Sequence, residues 1–130
     1  MDKATELARK LQLKPGSGLW IWPEDASAIE LLTEAPDIEL ADVDNADVAV
    51  LFAADRQAVD TVMTEYAKTL ASTRAVWIVY AKGNKTDINR DSLWVQLADY
   101  RWKAVSQVSY DQTLSVLRVR PLKDGEPSPV

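Results

Sequence analysis

A three-layer α/β domain built on a mixed, mostly parallel sheet is the fold class this sequence predicts. Three observations carry the prediction. Residues 75–81 form a continuous apolar run rich in β-branched and aromatic side chains, which suits a strand covered on both faces. Residues 47–53 form a second such run. Segments with helical spacing alternate with these strands, which implies parallel pairing through right-handed crossovers. Near the carboxyl end, two alternating runs flank a short polar turn and predict an antiparallel hairpin at the sheet edge.

Taken in order, residues 2–13 place Leu7 and Leu11 at helical spacing, with Asp2 as cap and Lys14-Pro15-Gly16 as stop. Residues 18–22 are the first strand, ended by Pro23. Glu24 and Asp25 open a second helix, where carboxylates favour the positive end of the helix dipole, and Ala35-Pro36 closes it. Residues 37–41 alternate polar and apolar side chains and read as a shorter, more exposed strand, followed by a turn over 42–45. Asp55 is the expected cap of a helix over 56–70, with Val59, Val62, Met63, Tyr66 and Leu70 on one face. The strand over 75–81 follows, then a polar loop and a helix over 92–98, whose face carries Leu93, Trp94 and Leu97. The hairpin pairs 102–110 with 113–120 around Asp111-Gln112. The domain is expected to span residues 1–122, and residues 123–130 to form a frayed tail. The first strand is expected mid-sheet, between the second strand and the strand over 75–81.

Composition excludes several functions. The 130 residues contain no cysteine and no histidine, so disulfides, thiolate metal sites, cysteine nucleophiles and a Ser-His-Asp triad are ruled out. Any metal would need carboxylates and carbonyls alone; none is expected, and no cofactor is assigned. A net charge of −5, from 15 basic and 20 acidic residues, argues against broad nucleic-acid binding, which needs a basic face. No apolar run approaches the roughly 18 residues of a membrane span, and the amino terminus lacks the apolar core of a signal peptide. A cytoplasmic protein is the expectation.

In open α/β sheets ligands sit beyond the carboxyl ends of the strands. The predicted cleft therefore lies between Trp22, Glu24 and Asp25 on one side and Lys82, Asn84, Lys85, Thr86, Asp87, Asn89 and Arg90 on the other. Lys82, Lys85 and Arg90 near a helix start suit a phosphate or carboxylate. The competing assignment is structural: Thr86 or Asp87 caps the helix, Asn89 and Asp91 satisfy backbone donors, and Glu24 or Asp25 pairs with Lys85 or Arg90. Asn84-Lys85-Thr86-Asp87 matches the pattern with which GTPases read guanine, but no Gly-rich phosphate loop accompanies it. Trp22 is a candidate pocket wall. Trp102 is expected on the outer face of the edge hairpin, where an exposed apolar surface would serve association with a partner protein or a second copy.

The layout resembles the methyltransferase type of Rossmann fold, whose sheet ends in such a hairpin, and residues 13–18 resemble the approach to its first strand. The resemblance implies S-adenosylmethionine at the cleft, with Asp42 or Asp44 as the acid that holds a ribose. The chain departs from the pattern after the first strand, where Trp22-Pro23-Glu24-Asp25-Ala26-Ser27 replaces a Gly-rich loop. Two carboxylates stand there where the methionine carboxylate would lie. Separately, residues 85–94 and the Lys-Pro-Gly opening resemble a family of small actinobacterial-type proteins of unknown function, which implies no catalytic residues. The sequence reading is thus a non-catalytic interaction or regulatory module. The alternative is a nucleotide, S-adenosylmethionine-like or anionic-ligand binder, or a divergent methyltransferase.

Overall fold

A computed structural model describes residues 18–22, 39–81, 87–109 and 114–127. The helices expected over 2–13 and from Glu24 onward, the loop 82–86 and the hairpin turn lie outside the described residues. The elements are β1 (Gly18–Trp22), β2 (Glu39–Leu40), a 3-10 turn (Val43–Asn45), β3 (Val48–Phe52), α1 (Arg56–Leu70), β4 (Ala75–Ala81), α2 (Arg90–Ala98), β5 (Trp102–Ser109) and β6 (Leu114–Pro121).

Among the described residues the sheet has the order β2-β1-β3-β4-β6-β5. The first three pairings are parallel and the last two antiparallel. The two apolar runs become the central strands β3 and β4, where Val48, Ala49, Val50 and Leu51 of β3 and Ala75 to Tyr80 of β4 are all buried. One face carries Trp20, Ala49, Leu51, Val76, Ile78 and Leu117, in a single cluster with Val59, Val62 and Met63 of α1 and Leu93 and Leu97 of α2. The other face, with Leu19, Val50, Trp77 and Val116, is as deeply buried. The Arg118 guanidinium sits 5.8 Å from the Trp77 ring centroid, a cation–π distance.

The strand order corrects one expectation. β1 lies between β2 and β3, and the strand over 75–81 is one place further out. The cause is the short connection after β2. Leu19 is in register with Leu40 on one side and with Val48 on the other. Residues 41–47 therefore pass from one flank of β1 to the other at the level where they began. Ala41 N–H donates to the Leu19 carbonyl (2.8 Å) and Asp47 N–H to the Gly18 carbonyl (2.9 Å). The Asp47 carboxylate accepts from Gly18 N–H at 2.9 Å. A Cβ at position 18 would lie 3.1 Å from both the Ala41 Cβ and the Asn45 carbonyl oxygen. Glycine is what lets the chain cross so closely, and the crossing seats β3 directly against β1.

The Asp55 side chain caps α1 by accepting from Ala58 N–H at 2.8 Å, as expected. Tyr66 meets Trp20 edge to face, centroids 4.8 Å apart. α2 starts earlier than predicted, at Arg90, and Asp87 does not cap it; Thr86 lies outside the described residues. Asn89 does, in a reciprocal box: its side chain accepts from Ser92 N–H (2.8 Å), and the Ser92 hydroxyl accepts from Asn89 N–H (2.9 Å). Ile88 before the cap and Leu93 four residues beyond it are both fully buried in one cluster, the arrangement of a hydrophobic staple.

The hairpin forms, but β6 is inserted between β4 and β5, so of its two strands β5 is the one at an edge among the described residues. Trp102 points inward and is 3% exposed, which overturns the expected outer-face placement. Trp94, expected on one face with Leu93 and Leu97, is instead 37% exposed. A register shift between Ala104 and Ser106 bulges β5 at Val105. The bulge breaks the period of two and turns Val105 outward. Within the stretch expected to fray, Glu126 is tied back: its carboxylate takes two contacts from the Arg120 guanidinium (2.9 and 3.0 Å) and one from Lys103 (3.3 Å). No helix among the described residues is long and apolar enough to cross a membrane.

Candidate functional site

The carboxyl ends of β1 and β3 lie side by side, with Trp22 in register with Leu51. β2 flanks β1 on the opposite side, so the direction of strand succession reverses at β1. Crevices outside such reversals are where open α/β sheets take ligands. On the β2 side of β1, level with its start and middle, a cavity of about 500 Å³ is lined by Leu19, Trp20, Ile21, Leu40, Ala41, Asp42 and Asn45, with no described residue of β3 and not Trp22 among them.

Asp42 is the polar anchor of that cavity. It stands two residues past β2 and about 20 residues beyond the end of β1, the spacing at which dinucleotide-binding folds place their ribose acid. Its backbone carbonyl closes the 3-10 turn by accepting from Asn45 N–H at 2.9 Å. Its side chain makes no capping bond, so the exposed carboxylate remains available to a ligand. Asp44 lies within the turn and does not line the cavity. Asp47 is committed to Gly18.

Trp22 stands at the β1 end, half-buried and packed against the core cluster. Glu24, Asp25, Lys82, Asn84, Lys85 and Thr86 lie outside the described residues, as does the Arg90 side chain. Asp87 is exposed, and one of its oxygens accepts from Arg56 N–H at 2.8 Å. It thus ties the loop after β4 to the first turn of α1. Asn89 is spent on the α2 cap. The described members of the predicted loop therefore brace helix starts. Because β3 intervenes between β1 and β4, they lie one strand away from the β1 end rather than facing it.

One polar group was missed at the sequence level. Gln96 is 4% exposed, and its amide donates to the Arg56 carbonyl (2.8 Å) and to Asp60 (2.8 Å). The Tyr100 hydroxyl donates to the same Asp60 oxygen at 2.7 Å. The Gln96 and Tyr100 bonds hold the Asp60 carboxyl below its ordinary value. Burial, followed by that acidic neighbour, raises the Tyr100 phenol. The network locks α1 to α2. A glutamine between Leu93 and Leu97 on an otherwise buried helix face was the signal that could have found it, since buried polar groups need partners. Among the described residues there is no cluster of three or more acids able to hold a metal.

This sheet, mostly parallel and closed by an antiparallel pair, is a methyltransferase-type Rossmann fold. No family model matches the sequence, and no curated protein matches it. Solved structures do. A Streptococcus pneumoniae protein described as a tRNA (m1A22) methyltransferase superposes with a TM-score of 0.57 at 13% identity, over 95% of this chain and 71% of that one. A protein of the NADB-Rossmann superfamily from Streptococcus agalactiae gives 0.53 at 14% identity, over 94% and 68%. A Pyrococcus horikoshii protein described as an RNA methyltransferase gives 0.50 at 11% identity, over 92% and 84%. At such identities the likeness defines the fold. The resemblance of residues 85–94 to a small actinobacterial-type family finds no match among the family models.

Proposed function

We propose that the chain is a nucleoside-binding domain of the methyltransferase type, with its ligand lying against β1 and the end of β2. The observation that carries this reading is Asp42, an uncommitted carboxylate lining a cavity beside the strand reversal. A carboxylate there accepts hydrogen bonds from the two hydroxyls of a ribose, and Leu40, 55% exposed, offers an apolar surface beside it. The solved neighbours favour an adenosyl compound, since the S. pneumoniae protein has also been solved in complex with S-adenosyl-L-methionine. S-adenosylmethionine would supply an electrophilic methyl group when bound, while Asp42 of this chain would hold its ribose.

A non-catalytic role is the second reading, favoured by the residues directly after β1. Proline, two acids and no glycine occupy Pro23 to Ser27. In sequence, two acids stand where the methyltransferase pattern has a Gly-rich loop, and like charge there disfavours the α-carboxylate of S-adenosylmethionine but not its adenosine half. The reading therefore predicts that 5′-methylthioadenosine, which lacks that carboxylate, binds at least as tightly as S-adenosylmethionine. The net charge of −5 weighs against RNA as the second substrate. Isothermal titration calorimetry with both compounds is the test. Binding should weaken about tenfold or more in Asp42→Ala, the loss of a charge-assisted bond, and not in Asp44→Ala. Absence of binding by every adenosyl compound at about 1 mM, a free energy near −4 kcal/mol, would overturn the proposal and leave the interaction module.

A further inference from the structure

We propose that two copies of this chain associate edge to edge through β5, in an antiparallel pairing that continues the sheet across a two-fold axis. The inference does not rest on the nucleoside reading; it comes from the opposite end of the sheet. Among the described residues β5 is an eight-residue edge strand, long for an edge that natural proteins usually keep short or covered. Its outward backbone groups need partners. Beside it, between α2 and the strand, runs a groove of about 670 Å³ lined by Asp91, Trp94, Lys103, Val105 and Gln107. Val105 is 44% exposed and Trp94 37%, with Val95 at 50% on the same helix. The bulge aims Val105 out of the sheet instead of into it.

Charge selects a second copy as the occupant. β5 and α2 run in opposite directions along the groove, because β5 starts from the turn that ends α2. Asp91 lies in the first turn of α2 and Lys103 near the start of β5, so the groove carries an acid at one end and a base at the other. Lys103 and Arg120 share the single carboxylate of Glu126, which leaves one positive charge in excess at that end. When β5 pairs antiparallel with its symmetry mate, the acid end of each groove meets the base end of the other. Asp91 then faces the partner's Lys103 twice, once on each side of the axis, and the two Val105 and Trp94 side chains close over the seam. An isologous contact needs this self-complementarity. Parallel pairing would set like charges together.

Sedimentation velocity from about 10 to 200 µM, a range that brackets weak homodimers, reads the association directly. The native chain should shift to the mass of a dimer. Val105→Lys adds a charge to the exposed edge and should weaken the dimer at least about tenfold. Asp91→Lys and Lys103→Asp should each weaken it, because each sets like charges across both sides of the seam, and the double exchange should restore it. Circular dichroism melts confirm that each variant is folded. A chain that stays monomeric throughout overturns the proposal, as does a dimer indifferent to Val105→Lys. A double exchange no tighter than the single variants overturns the antiparallel arrangement.

Discussion

Gly18→Ala is the substitution that most directly probes how β1 comes to lie at the strand reversal. The added methyl would stand 3.1 Å from the Ala41 Cβ and 3.1 Å from the Asn45 carbonyl oxygen. Neither neighbour is the free end of a flexible side chain, so the connection over 41–47 must lift by a few tenths of an ångström. Lifting it strains two bonds to the glycine itself, from Asp47 N–H to its carbonyl and from its N–H to the Asp47 carboxylate, both 2.9 Å. Overpacking of this kind costs about 1–3 kcal/mol, and a net hydrogen bond contributes about 1 kcal/mol. For a chain of this length 1 kcal/mol moves the melting temperature by about 4 °C. Thermal unfolding followed by circular dichroism should therefore show a drop of about 4–12 °C. Gly125→Ala supplies the contrast: that glycine has φ +78° and nothing within 4 Å of an added Cβ. It tests left-handed backbone strain alone, about 1 kcal/mol. A Gly18→Ala protein melting with the native chain would refute the close crossing, and with it the physical reason β3 sits against β1.

The other predictions concern caps, strain and pH. Asn89→Ala removes one half of the α2 capping box and should cost about 1 kcal/mol by chemical denaturation, whereas Thr86→Ala should leave the helix start intact. Arg101 holds φ 62°, and its carbonyl accepts from Leu122 N–H at 2.8 Å. Arg101→Gly relieves the side-chain clash of that conformation and should stabilise by about 0.5–1 kcal/mol. The Arg120 guanidinium, with the Lys123 N–H, holds the Glu126 carboxyl down at about 2, against an ordinary 4.5. A depressed acid contributes stability that is present above its unfolded value and lost as pH falls toward its folded one. Melting temperatures of the native chain and of Glu126→Gln should therefore run in parallel above about pH 5 and converge between pH 4.5 and 2.

The elements of this fold were more legible than their arrangement. β3, α1 and β4 announce themselves through apolar runs and a periodic face, and Asp55 marks the α1 start. Strand order was hidden in the connection over 41–47, which returns the chain from β2 to the other side of β1. That short link leaves no composition signal beyond Gly18, which reads in sequence as an ordinary glycine after Gly16-Ser17. The α2 cap was misplaced because Asp87 and Asn89 are both good caps. The buried Ile88 and Leu93, together with Ser92, decide for Asn89, and that staple was present in the sequence. Trp102 was placed outside because the Val105 bulge resets the alternation of β5. At the candidate site, Asp42 was visible as an acid after a strand, but choosing it over Asp44 required the cavity that only one of them lines. Asp87 had a second use, the first turn of α1, which nothing in its local sequence encodes.

The central claim is that a nucleoside sits over β1 and β2 with its ribose on Asp42. The most direct measurement is a crystal structure of the chain grown with 5′-methylthioadenosine. The account predicts the ribose hydroxyls within hydrogen-bond reach of the Asp42 carboxylate and the adenosine in the cavity beside Trp20 and Ile21. A ligand bound at the α2–β5 groove, or the Asp42 cavity empty at saturating ligand, would contradict it.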